Sequence, residues 1–213
     1  MKTELVFILD ESGSMYDLKN DVIGGFNSMI DKQKELDDEC YLTVVAFNNK
    51  HRVIYDRVDL HEAKVMGEDD YCPSGSTALM DTMADSIKHI EDIHRYIRKE
   101  DVPEKNIFMI TTDGYENAST RYQAKEVRKM VESKEKDGWE FIFLAANIDA
   151  VETAKTFGIK KERAASYVND SAGVCGNFVV MDAMLKTFRT TGKVEDDWAE
   201  KTSKEQKGLN SPF

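Results

Sequence analysis

The feature that most constrains this 213-residue chain is an uninterrupted apolar run, Leu5-Val6-Phe7-Ile8-Leu9, that stops on Asp10 and continues as Glu11-Ser12-Gly13-Ser14. A run with no polar alternation suits a strand buried on both faces of a parallel sheet. Open α/β sheets hold their ligands beyond the carboxyl ends of the strands, which is where these polar residues emerge. Asp10, Ser12 and Ser14 then offer three oxygens from one turn, the donor type that hard cations take.

The rest of the chain supplies a sheet around that strand. Val22, Ile23, Phe26, Met29, Ile30 and Gln33 recur at helical spacing, with Asp17 or Asn20 as expected caps. Cys40 to Phe47 reads as a strand, Asn48-Asn49-Lys50 as a turn, and His51 to Val58 as the returning strand of a hairpin. After a polar loop, Thr77 precedes a helical stripe from Ala78 to Ile97, so its hydroxyl either caps that helix or is free for another use. Asn106 to Thr112 is a second buried strand ending on an acid, Asp113. A helix stopping near Gly138, a strand from Trp139 to Ala146 and a short helix capped by Asp149 follow. A weak strand from Ala164 to Val168 and a last helix opened by Asp170 or Ser171 complete the pattern. Strands alternating with helices predict a three-layer, doubly wound, Rossmann-like α/β fold. Its sheet has six strands, mostly parallel with one antiparallel edge strand, and helices on both faces. Residues 1–192 read as this domain and 193–213 as a polar tail.

In such a sheet the strand order reverses beside the first strand, so the strands ending in Asp10 and Asp113 are neighbours. The helix beginning at Thr77 can reach the same crevice. Asp10, Ser12, Ser14, Thr77 and Asp113 with water give the octahedral oxygen shell of Mg²⁺ or Mn²⁺. Two carboxylates only neutralise a divalent cation, leaving it able to accept one more carboxylate from outside; a Ca²⁺ buffer site would gather more acids. The charge balance excludes other partners. A net charge of −11 argues against nucleic acid and anionic lipid. No stretch is apolar enough to span a bilayer or to serve as a signal peptide. Cys40, Cys72 and Cys175 make no complete disulfide framework or zinc knuckle, which leads to the expectation of a cytoplasmic protein. Cys72 is expected as an inert buried thiol.

Asp10-x-Ser12-x-Ser14, Gly75-Ser76-Thr77 and Thr112-Asp113-Gly114, in that order and each at a strand or helix end, resemble the von Willebrand factor A domain. The likeness runs over about residues 3–190 and includes every position of its metal-ion-dependent adhesion site. It implies a non-catalytic, monomeric protein-interaction module, similar to the small stand-alone bacterial forms that act as adaptors. It also implies that Ser12 and Ser14 ligate the metal directly and Thr77 does so in the ligand-receptive state, while Asp10 and Asp113 do so directly or through water. The bound partner would present an Asp or Glu. A docking face around the metal would draw on Glu11, Tyr16, Ser76, Tyr115, Glu116 and Asn117. For Glu11 the competing expectation is a solvated side chain pointing away, and for Glu116 and Asn117 it is hydrogen bonding to loop backbone. Related domains couple the metal shell to the last helix, here near Val174 to Arg189.

The alternative from another class is a metal-dependent hydrolase or phosphotransferase on the same architecture. A haloacid-dehalogenase-like enzyme needs a second acid two residues after the first, and Ser12 holds that position. Dinucleotide binding needs Gly-x-Gly-x-x-Gly, which Ser12-Gly13-Ser14 is not.

Overall fold

A computed structural model describes residues 1–198 of the chain. Six strands form one sheet: β1 (Thr3–Asp10), β2 (Cys40–Phe47), β3 (His51–Asp59), β4 (Lys105–Thr112), β5 (Trp139–Ala145) and β6 (Ala164–Ser166). Their order is β3-β2-β1-β4-β5-β6, and only β3 runs antiparallel, on the edge. The three-layer expectation therefore holds, with β6 shorter than its sequence pattern suggested. β1 is buried along its whole length because helices cover both faces. Leu5, Phe7 and Leu9 pack with α1 (Lys19–Gln33) and α5 (Ser171–Thr191). Val6 and Ile8 pack with α2 (Leu79–Tyr96), α3 (Ala124–Lys136) and α4 (Ala150–Thr156). An unbroken apolar strand is the pattern this two-sided burial requires.

Several boundaries differ from the sequence expectation for physical reasons. Neither Asp17 nor Asn20 caps α1, because a 3₁₀ segment, Gly13–Leu18, runs directly into it. Asp149 and Asp170 do cap their helices, accepting from Glu152 N–H and Gly173 N–H. The expected tail from residue 193 includes two residues that pack on the sheet-and-helix core. Val194 and Trp198 are buried with the α1–α5 core, and the Trp198 indole donates to the Glu162 carbonyl at 2.6 Å. Two apolar anchors spaced among acids were too sparse a signal to read as domain. The remainder of the expected tail, 199–213, lies outside the described residues.

Candidate metal centre

The chain passes through β1, β2 and β3 in one direction and returns through β4, β5 and β6 in the other, so the switch point lies between β1 and β4. Asp10 closes β1 and Asp113 follows β4, each with 2% of its surface exposed. The loop after β1 brings its two serines back over this point. The Ser14 hydroxyl donates to Asp113 Oδ1 at 2.7 Å, and Ser12 Oγ lies 3.4 Å from the same oxygen. The two hydroxyls are 3.1 Å from each other. Asp10 is fixed from both sides: Oδ1 accepts from Ser12 N–H at 2.8 Å, and Oδ2 accepts from the Thr112 hydroxyl at 2.6 Å. Asp113 N–H also approaches Asp10 Oδ2, at 3.4 Å. Four of the five sequence-derived ligands thus form one connected cluster.

Thr77 arrives on a separate loop, which the backbone ties to both of the others. Gly13 N–H donates to the Gly75 carbonyl at 3.1 Å, and Thr77 N–H donates to the Asn117 side chain at 2.9 Å. Gly75 sits at φ +72°, and Asn49 occupies the space a β-carbon would need, so this turn requires glycine. The cap alternative for Thr77 is settled by α2 itself. Ala78 is the cap residue, and no side chain of that residue or of Thr77 serves the helix start. Glu116 instead accepts from Met80 N–H at 2.7 Å, and Ser119 Oγ accepts from Asp81 N–H at 3.0 Å. Two of the orphan donors of α2 are satisfied by the loop after β4. Thr77 is 4% exposed as a residue, and its hydroxyl makes no hydrogen bond among the described residues.

Electrostatics test whether a cation fits here. Neither Asp10 nor Asp113 has a Lys, Arg or His partner among the described residues; their polar neighbours are hydroxyls, amides and backbone N–H groups. Burial raises the Asp10 carboxyl above its ordinary 3.8, the Thr112 and Ser12 hydrogen bonds oppose that rise, and nearby Asp113 adds to it. Two buried carboxylates side by side, with only neutral donors around them, form an oxygen-rich site short of positive charge. Among the described residues no group of three or more His, Cys, Asp or Glu side chains is arranged for a metal. The hydroxyls are therefore needed to complete a shell. The residues fit a small, hard divalent cation.

The residues of the expected docking face lie in different settings. Tyr16 and Tyr115 are exposed at 71% and 66%, and Ser76 stands beside Thr77 with its N–H on Asn49. Glu11 is not a solvated side chain. It is 4% exposed, and Oε2 accepts from Arg52 Nη2 and Cys72 N–H, both at 3.1 Å. Arg52 on β3 lies 41 positions away, so nothing local announced it. Glu116 spends its carboxylate on Met80, Ala118 and Ser119, which makes it a scaffold for the Thr77 and Asp113 loops. Asn117 holds Thr77 in the same way. Cys72, expected buried, is exposed, with Sγ near the carbonyls of Glu68 and Asp69.

Sequence reasoning missed Asn169, whose amide donates to Asp113 Oδ2 at 3.3 Å, and Asn147, whose amide donates to the Asp113 carbonyl at 3.3 Å. It also missed Tyr71, whose buried phenol donates to the Asp10 carbonyl. Asn147 holds φ +57°, a conformation Asn tolerates better than most residues, but no motif marked any of the three.

No protein-family model matches the sequence, and no curated protein matches it. Solved structures do. A von Willebrand factor type A structure from Catenulispora acidiphila aligns with a TM-score of 0.55 at 17% identity, over 86% of this chain and 42% of that one. The von Willebrand factor domain of the type V pili tip protein Mfa5 from Porphyromonas gingivalis aligns at 0.63 and 10% identity, over 92% and 98%. Proximal thread matrix protein 1 from the mussel byssus, described with a zinc-occupied adhesion-site motif, aligns at 0.58 and 11% identity, over 86% and 46%. This chain spans less than half the length of the first and third of these. The likeness shows the fold: a von Willebrand factor A-type sheet with helices on both faces.

Proposed function

We propose that this von Willebrand factor A-type domain is a non-catalytic interaction module that grips a carboxylate of a protein partner through Mg²⁺ or Mn²⁺. Asp10, Ser12, Ser14, Thr77 and Asp113 would hold the ion. One observation carries the reading: two buried carboxylates converge with two serine hydroxyls, and no cationic side chain neutralises them. When bound, the ion supplies an electrophilic position for an incoming acid. The chain's own residues do the positioning. Thr112 and Ser12 N–H orient Asp10, Asn169 and Ser14 orient Asp113, and Asn117 with Glu116 fixes the loop that offers the free Thr77 hydroxyl. The zinc-occupied site of the byssus protein supports a divalent ion at this place in the fold. The pilus and matrix proteins among the neighbours support a role in protein assembly.

The test is a capture experiment with the tagged full chain, run with Mg²⁺, with chelator, and with Asp10→Ala. A protein held only by the parent chain in Mg²⁺ is the expected result. Prey retained equally in all three arms would sink the reading. A parallel thermal melt should show Mg²⁺ stabilising the parent and not Asp10→Ala.

A further inference from the structure

We infer that a cavity beside Asp10 binds one water molecule as a fixed part of the fold, and that this water joins Asn177 of α5 to the residues holding the metal centre. The cavity lies on the α1–α5 side of the sheet and has a volume of about 10 Å³, the least room a single water needs. Asp10, Tyr71, Thr111, Tyr167 and Asn177 form its polar wall, and the rest of the wall is apolar.

The polar groups around this space are short of partners. Asn177 is 3% exposed, and its buried Oδ1 accepts no hydrogen bond among the described residues. Its neighbours three and four positions along α5, Gly173, Val174, Val180 and Met181, carry no side-chain donor. Leaving a buried amide oxygen unpaired is costly. The Tyr167 hydroxyl reaches the Thr112 carbonyl only at 3.4 Å, and the Thr111 hydroxyl reaches the Ile8 carbonyl only at 3.5 Å. A good O–H···O bond is about 2.7–2.8 Å long. Two poorly used donors and one unserved acceptor therefore line one cavity.

That inventory selects the occupant. The amide oxygen needs a donor, which an anion is not. Burial holds the Tyr71 and Tyr167 phenols protonated, well above their ordinary 10, so they present no negative charge to a cation. Asp10 is already engaged, its carbonyl by Tyr71 and its carboxylate by Ser12 N–H and Thr112. Water both donates and accepts, so it can serve Asn177 Oδ1 and take the proton of the Tyr167 or Thr111 hydroxyl in a hydrogen bond. The link then runs from Asn177 through water to Tyr167, on to the Thr112 carbonyl, and from the Thr112 hydroxyl to Asp10 Oδ2 at 2.6 Å. Asn177 is thereby a positioning residue for Asp10. This role rests on the metal-dependent reading; the water site does not.

Two measurements test it on the full chain. A high-resolution crystal structure should show a water within hydrogen-bond distance of Asn177 Oδ1, and a cavity without one would overturn the inference. Mg²⁺ titrations then compare the parent with Asn177→Leu, Tyr167→Phe and the double variant, each checked by a thermal melt in chelator. Asn177→Leu keeps the shape of the side chain and removes its acceptor. Each single variant should bind Mg²⁺ about tenfold more weakly, the lower end of the range for groups that orient metal ligands. Asn177→Ser, which keeps an acceptor oxygen, should recover most of that loss. Because one water serves both residues, the double variant should be no worse than the weaker single one. Losses that multiply, or an Asn177→Leu protein with parental affinity, would overturn the positioning role. Tyr167→Phe keeps its ring in place and carries the test alone if Asn177→Leu does not fold. A parent chain that binds no Mg²⁺ would end the metal reading and the positioning role together, while the crystal structure still decides the water.

Discussion

The two ends of the sheet treat their buried charges differently, the Glu11–Arg52 pair at the carboxyl end aside. At the amino ends of the strands, Glu4 is fully buried, and its Oε2 meets Arg57 Nε at 2.9 Å and His94 Nε2 at 3.1 Å. The buried Arg189 side chain meets Asp38 at 2.7 Å and donates to both the carbonyl and the side chain of Gln33. At the carboxyl ends, Asp10 and Asp113 are as deeply buried, yet they meet only hydroxyls, amides and N–H groups. Removing a charge from water costs several kcal/mol unless an opposite charge compensates it. One end has compensation built into the chain, so it holds the fold together. The other leaves two carboxylates without a cationic side chain among the described residues, and this difference separates scaffold from candidate site.

The largest test breaks the compensated end. Arg189→Ala strands Asp38 and Gln33 and opens a cavity, so it should cost about 3–5 kcal/mol in denaturant unfolding and roughly 6–20 °C in Tm. A loss below about 1 kcal/mol would mean the two ends do not differ as described. The next test sharpens the other end, where the expected sign reverses. Asp113→Asn removes one of two adjacent buried charges, and without metal it should leave the protein level or about 1 kcal/mol more stable. The same substitution should abolish the Mg²⁺ stabilisation of the parent, about 2.7 kcal/mol at a hundredfold excess over Kd. Equal Mg²⁺ shifts in the two proteins would remove the metal from the account.

The last effect belongs to Asp81, a carboxylate near the site held mainly by backbone N–H groups, with the Arg121 guanidinium 3.6 Å away. Burial pushes its carboxyl up, but the Thr120, Tyr122 and Arg121 N–H groups outweigh it and hold the group below its ordinary 3.8. A depressed folded value means its stabilisation is present above the unfolded value and is lost as pH falls through the folded one. Asp81→Asn should therefore cost about 1–2 kcal/mol near neutral pH, and the gap to the parent should close in acid, below about pH 4. Urea melts across that range measure it. A gap independent of pH would assign the loss to geometry alone.

How much of this was legible depended on how far apart the partners lie in the chain. Asp10, Ser12 and Ser14 share one turn, and Thr112-Asp113-Gly114 follows one apolar strand, so local pattern sufficed to place them at strand ends. Glu11 was misread because its partner is on β3, and Thr77 stayed ambiguous because its helix is capped by Glu116 and Ser119 from another loop. Trp198 escaped notice because a lone indole among acids carries no periodicity; only its burial against the core made it part of the domain.

The sequence by itself determined the sheet and most of its helices, since apolar period and turn residues act over a few positions. It also determined which oxygens stand at the strand ends. Tertiary structure alone decided that two of those acids lie side by side without a cation, and that the Thr77 hydroxyl is free. Charge compensation is a property of three-dimensional neighbours, and residues 10 and 113 become neighbours only when the strand order reverses between β1 and β4.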